Sequence, residues 1–136
     1  MRRVWTRIAV VTVVLGVSAS WIDARDDVNS GLAEARELGR AYTQQFYDKK
    51  LETLRAKFST EMAEAMSLEQ FTEVRAQLDA QLGPETEMLE DGVETKDDYL
   101  VYERRAKFEK YPGVIVVRWV LKEGGAIAGV FLTPEQ

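Results

Sequence analysis

The sequence predicts an α+β fold in which N-terminal helices pack on one face of a curved four-stranded antiparallel sheet. Apolar residues recur at threes and fours from Leu32 to Leu82, the helical spacing. Beyond Gly83-Pro84 the period shifts towards two, the strand spacing. The run from Val114 to Leu121 crowds four Val and one Ile into eight residues ahead of Gly124-Gly125, as a central strand apolar on both faces does. At 136 residues, 46% of them apolar, the chain suffices for one domain core and not for two.

The chain opens with Arg2, Arg3 and Arg7 before an apolar run from Ile8 to Val17, then small residues at Ser18, Ala19 and Ser20. This is the pattern of a secretory signal peptide over residues 1–19 followed by one domain over 20–136. Val17-Ser18-Ala19 is the expected cleavage pattern, with Ile22-Asp23-Ala24 as a second choice and an uncleaved anchor as the competing reading. The apolar run is too short for a comfortable membrane span, so no stable span is expected after cleavage. A periplasmic or secreted location follows.

From Asp26, with Asp26, Asp27 and Asn29 as capping candidates, the stripe Leu32, Ala35, Leu38 or Gly39, Tyr42 and Phe46 predicts one amphipathic helix. Asp48 to Lys50 breaks it, and Leu51, Leu54 and Phe58 continue the spacing in a shorter piece. Ser59 caps a third turn carrying Met62, Ala65 and Met66. Ser67 followed by Gln70 is a capping box, and Leu68, Phe71, Val74, Leu78 and Leu82 mark the helix it opens.

Glu85 to Thr95 reads as an acidic first strand bulged at Asp91-Gly92, and Asp97-Asp98 as its turn into the strand Tyr99 to Phe108. A two-residue turn at Gly124-Gly125 would pair Leu121 with Ala128, Trp119 with Val130 and Val117 with Leu132. On the other side, Phe108 would face Gly113, Tyr102 Trp119, Leu100 Leu121 and Glu103 Arg118. Alternation then puts Ile115, Val117, Trp119 and Leu121 on the core face, where Arg104 is the one charge on the central strands. The outer face collects Val101, Val116, Val120, Ile127 and Phe131 around Glu103 and Arg118.

Composition excludes several functions. Cysteine and histidine are both absent, which removes thiolate nucleophiles, disulfides, histidine general bases and the usual zinc ligands. Without residues 1–19 the chain keeps 15 basic against 23 acidic residues, and its short basic runs are flanked by acids, so no nucleic-acid partner is expected. Glu90, Asp91, Glu94, Asp97 and Asp98 lack a calcium-loop spacing and read as a solvated strand edge. Neither a metal nor a cofactor is expected.

The run Phe46-Tyr47-Asp48, Leu51, Leu54, Phe58-Ser59, Met62, Ser67-Leu68-Glu69-Gln70-Phe71 and Gln81-Leu82-Gly83, followed by strands, resembles the secreted bacterial family called domain of unknown function 3887. The resemblance covers roughly Leu32 to Leu132 and rests on packing and capping positions, so it carries fold information more than chemistry. It implies a cone-shaped fold similar to nuclear transport factor 2 and ketosteroid isomerase. It also implies a domain that works alone or beside a separate α/β-hydrolase.

Two kinds of site follow. Arg104, with Tyr42, Phe46, Tyr102 and Trp119 around it, is placed to hold a small amphiphilic anion between sheet and helices. The competing reading is that Arg104 snorkels or pairs with a helix carboxylate and the four aromatics are core. The second is an interface of Val101, Glu103, Val116, Arg118, Val120, Ile127 and Phe131, with a second copy or an envelope protein as partner. Alternatively, a terminal segment or the first helix folds over that face. Catalysis of the ketosteroid-isomerase type needs a carboxylate base beside a donor such as Tyr42 or Tyr102. Glu103 falls on the wrong sheet face for it, and Glu34, Glu37 and Asp48 at solvent-facing or boundary positions of the first helix. The sequence therefore favours a non-catalytic binding module over a small cavity enzyme.

Overall fold

A computed structural model describes residues 25–135, with side chains from Gly31 onward. The export signal and its cleavage sites lie outside the described residues. Four helices, α1 (Arg25–Tyr47), α2 (Leu51–Arg55), α3 (Thr60–Ala65) and α4 (Leu68–Leu82), precede four strands: β1 (Glu85–Lys96), β2 (Tyr99–Phe108), β3 (Tyr111–Leu121) and β4 (Ile127–Pro134). The strands form one antiparallel sheet in the order β1-β2-β3-β4, the predicted α+β arrangement.

Local chemistry sets the helix ends. The hydroxyl of Ser67 accepts from Gln70 N–H, and the Gln70 side chain accepts from Ser67 N–H, completing the capping box. Ser59 caps α3 through Met62 N–H. At the far end of α1, Lys49 adopts a left-handed conformation while its N–H bonds Phe46 O and Lys50 N–H bonds Gln45 O. That is a Schellman closure with lysine where glycine is usual.

The carbonyl of Phe46 also accepts from Nε of Arg75, a guanidinium buried in α4 and lying 4.9 Å over the Phe46 ring. Burial lowers the Arg75 pKa from its ordinary value, countered by Asp79 one turn on. Arg75 therefore occupies a buried position beside Val74, which the helical spacing predicts as the stripe residue, because a helix-end carbonyl accepts a second hydrogen bond from it there.

The predicted core face is correct. Ile115, Val117, Trp119 and Leu121 are fully buried beneath Tyr42, Phe46 and Phe71, and burying each large side chain contributes on the order of 1.5–3 kcal/mol. The Trp119 indole N–H donates to Thr43 Oγ1 at 2.9 Å, and that hydroxyl donates to Gly39 O at 2.7 Å, so both of these buried polar side chains are satisfied. The central register also holds, with Tyr102 opposite Trp119, Glu103 opposite Arg118, Trp119 opposite Val130 and Val117 opposite Leu132.

Three boundaries differ from the sequence pattern. The β3–β4 connection is a three-residue helical turn over Glu123–Gly125 instead of a two-residue one, with Gly124 and Gly125 at φ of 88° and 93°, and a bulge pairs Leu121 with Ile127 instead of Ala128. Ile127 thereby moves from the outer face into the core, where its N–H bonds Lys57 O and its carbonyl accepts from Ser59 N–H. Phe108 faces Tyr111, not Gly113, because of an irregularity at Lys107. The bulges of β1 fall near Thr86 and Leu89, whereas Asp91 and Gly92 are in regular register with Arg104 and Glu103.

Helix α1 meets β2 at Gly39, where an added Cβ would stand 2.1–2.5 Å from atoms of the Tyr102 ring. On an exposed helix Gly→Ala gains about 1 kcal/mol. Gly39→Ala should instead lose about 1–3 kcal/mol through overpacking, read as a lower urea midpoint at unchanged slope.

Candidate functional site

Close contact of α1 with Tyr102 brings a continuous polar chain together along the seam between α1 and the first two strands. Arg36 and Arg40 lie one helical turn apart on α1 and converge on Asp91 of β1. Arg40 donates through Nε to Oδ2 at 2.6 Å and through Nη2 to Oδ1 at 2.9 Å, while Arg36 Nη2 reaches Oδ1 at 2.9 Å. Tyr102 OH donates to Asp91 Oδ2 at 2.7 Å and accepts from Arg104 Nη1 at 3.3 Å. Arg104 grips Glu85 with Nε and Nη2 at 3.0 and 2.7 Å, and Tyr47 OH donates to the same carboxylate at 2.7 Å.

The charges follow from these contacts. Hydrogen bonds from Arg40 hold the Asp91 carboxyl well below the usual carboxylate range against the opposing effect of burial, with Tyr102 and Arg36 adding to them. Burial keeps the Tyr102 hydroxyl protonated above the ordinary tyrosine value. Tyr47 is raised as well, by burial and then by the charge of Glu85. Burial opposes the Arg104 charge, but Glu85 and Tyr102 more than offset it and leave the guanidinium above its ordinary value.

A carboxylate facing Tyr102 at hydrogen-bond distance has the composition of a base and an oxyanion donor. Its bonding is unsuited to that chemistry. The Asp91 side chain is 1% exposed, its lone pairs are taken by five donor atoms, and its depressed pKa makes it a weak base. The Tyr102 proton is committed to Asp91. The chain of contacts clasps α1 to the sheet.

The structure brings Tyr42, Phe46, Tyr102, Arg104 and Trp119 to one region under α1. Tyr42 and Phe46 pack on Trp119 with ring centroids 5.7 and 6.0 Å away, all four aromatics are buried, and the Tyr42 hydroxyl is bonded to Gly125 O at 2.8 Å. An anionic ligand there would have to displace Glu85 from Arg104. Sequence patterning missed the partners of this cluster: Glu85 opens a strand that reads only as acidic, Asp91 sits in a run that reads as solvated edge, and Arg36 and Arg40 border the apolar stripe of α1. The spacing of those two arginines, four residues apart on one helix edge, was the available signal.

On the outer face the structure gathers Val101, Glu103, Val116, Arg118, Val120 and Phe131. Arg118 Nε donates to Glu103 Oε2 at 2.6 Å across β2 and β3, and both side chains are about 40% exposed. Arg105 binds Glu135 with two donors, at 2.6 and 3.1 Å, and lies 3.6 Å from Glu90. These long side chains flank Val101 and Val116, which are buried, whereas Val120 and Phe131 are half-buried and the Phe131 ring leans over Gly129. Towards β1 the face sinks into a groove of about 220 Å³ around Gly92, lined by Glu90, Glu94, Val101, Glu103 and Arg105. No group of acidic residues there is arranged to hold a metal ion, among the described residues.

Comparison of the chain with family models, with curated proteins and with solved structures finds no match.

A carboxyl whose pKa falls on folding adds stability that is complete above its unfolded value, near 4, and is lost as pH falls through the lower folded value. Asp91→Asn should therefore cost about 1–3 kcal/mol at pH 7, and the gap to wild type should narrow as urea unfolding is repeated below about pH 4. Arg104→Met strands Glu85, whose side chain is 12% exposed, and should cost about 3 kcal/mol. Adding Glu85→Leu to Arg104→Met should restore most of that loss in the same assay.

Proposed function

We propose that the domain is a non-catalytic interaction module that works through the outer face of its sheet, and that the partner on this face is a second copy of the chain. The observation that carries the reading is the half-buried pair Val120 and Phe131 beside the half-exposed Glu103–Arg118 ion pair on a face that no helix covers among the described residues. A sheet face meant only for water alternates to polar residues; this one keeps four apolar side chains. A two-fold axis lets the patch meet itself, with Arg118 of one copy facing Glu103 of the other. Cone-type folds, which the helix and strand order resembles, often dimerise through the sheet.

The bonding of the seam supports the non-catalytic half of the proposal: each of its carboxylates is held by arginine and tyrosine donors. The Arg-rich start and short apolar run support a periplasmic or secreted setting, where an envelope protein is the alternative partner.

Val116 is too sheltered to accept a charge without disturbing the fold, so the test uses Val120→Glu with Phe131→Glu, which puts four carboxylates into each two-fold contact. Sedimentation velocity at micromolar concentration should show wild type as a dimer and the double variant as a monomer with an unchanged circular dichroism spectrum. A monomeric wild type would overturn self-association.

A further inference from the structure

β1 is an edge strand of 12 residues, and the side chains along most of it are exposed. Its register with β2 runs back from Lys96 opposite Tyr99 across the two-residue turn at Asp97 and Asp98. In an antiparallel ladder the pair closing such a turn exchanges hydrogen bonds, and every second pair thereafter does the same. Glu94 and Gly92 therefore bond towards β2, while the backbone groups of Asp91, Val93 and Thr95 point away from the sheet. One contact bears this out: the Asp91 carbonyl accepts from Arg36 Nη2 at 3.1 Å, from outside the ladder. For Val93 and Thr95 no backbone partner is present among the described residues.

The opposite edge is closed. Ile127 at the start of β4 is bonded to Lys57 and Ser59, Val130 and Leu132 are nearly fully buried, and the strand ends at Pro134, which has no N–H to offer. On β1, in contrast, Met88 and Leu89 are 40% and 36% exposed, the large apolar side chains left in water among the described residues. Charge alone guards an edge against pairing, but a guarded edge has no use for two exposed apolar side chains.

We propose that the free edge of β1 from Val93 to Thr95 receives an extended segment of a separate, basic protein as a fifth strand. The backbone groups of Val93 and Thr95 supply the hydrogen bonds. Charge selects the occupant: Glu87, Glu94, Asp97 and Asp98 have no ion-pair partner among the described residues, and Glu90 has a distant one in Arg105. A second β1 laid against this one would bring like charges together, so a second copy is disfavoured at this edge. Alternation fixes the pattern of the guest. Its outward side chains fall beside Glu90 and Glu94 and are basic; its inward ones fall beside Val93 and are apolar.

The probe is an N-acetylated nine-residue peptide alternating Lys and Val, titrated into the ¹⁵N-labelled protein. Saturable binding should slow hydrogen exchange at the N–H of Val93 and Thr95 while the β3 amides stay unchanged. Thr95→Pro removes one outward donor without touching the β2 ladder and should weaken binding about tenfold. Glu90→Lys with Glu94→Lys should abolish it and admit the peptide with Glu in place of Lys. Heteronuclear spectra of both variants check the fold. Equal binding by Thr95→Pro, no gain in protection at Val93 and Thr95, or equal binding of the Glu peptide to wild type would each overturn the proposal. So would protection of these amides that rises with protein concentration in the absence of peptide, since the edge would then belong to a second copy.

Discussion

The approach of α1 to the face of Tyr102 is the constraint on which the rest of the interior depends. Only a residue without Cβ fits at position 39, because an added methyl would overlap the Tyr102 ring. With the helix that close, Arg36 and Arg40, three residues before and one after Gly39, fall on either side of Asp91, and the Tyr102 hydroxyl completes its shell. The same helix places Thr43 under the Trp119 indole and Tyr42 over Gly125. A shift of one element would break polar contacts at several distant points, so side-chain chemistry sets the helix position as firmly as apolar packing does.

This arrangement avoids the usual weakness of buried charge. A buried carboxylate costs several kcal/mol unless donors replace its water, and removing a single partner exposes that cost. Here Asp91 is buried but Arg36 and Arg40 are half-exposed, so of these three charged groups only the carboxylate forgoes hydration. The bidentate grip of Arg104 on Glu85 suits the planar fork of arginine, and lysine could not reproduce it. Arg75 instead places a single donor, Nε, on the Phe46 carbonyl while its guanidinium covers the Phe46 ring.

How much of this the sequence shows depends on whether a residue's role is periodic. Val117, Trp119 and Leu121 repeat at two, and Tyr42 and Phe46 at four, so their burial is readable from spacing alone. Gly124-Gly125 announces a turn but not its length, and the extra residue there turned Ile127 from the outer face to the core. Asp91 was unreadable for a different reason. Its neighbours Glu90 and Glu94 belong to solvent, and nothing in an acidic run says that one member points inward; that depends on α1, more than 50 residues away. Arg75 likewise breaks its own stripe to serve another helix. Pattern reports the faces of single elements, while polar pairing across elements depends on their relative placement.

The two sheet edges impose a last constraint. A sheet with two open edges can add strands without limit, which is the geometry of fibres. In this fold β4 is closed by the Lys57–Ser59 segment, the packing over Val130 and Leu132 and Pro134, leaving β1 as the open side among the described residues. One open edge admits one guest, and growth stops there when the guest's own far side is covered. The charges along β1 narrow this further, repelling a copy of the same acidic strand. Growth is thus limited by topology and identity by charge, so an exposed backbone edge is compatible with a domain that remains discrete.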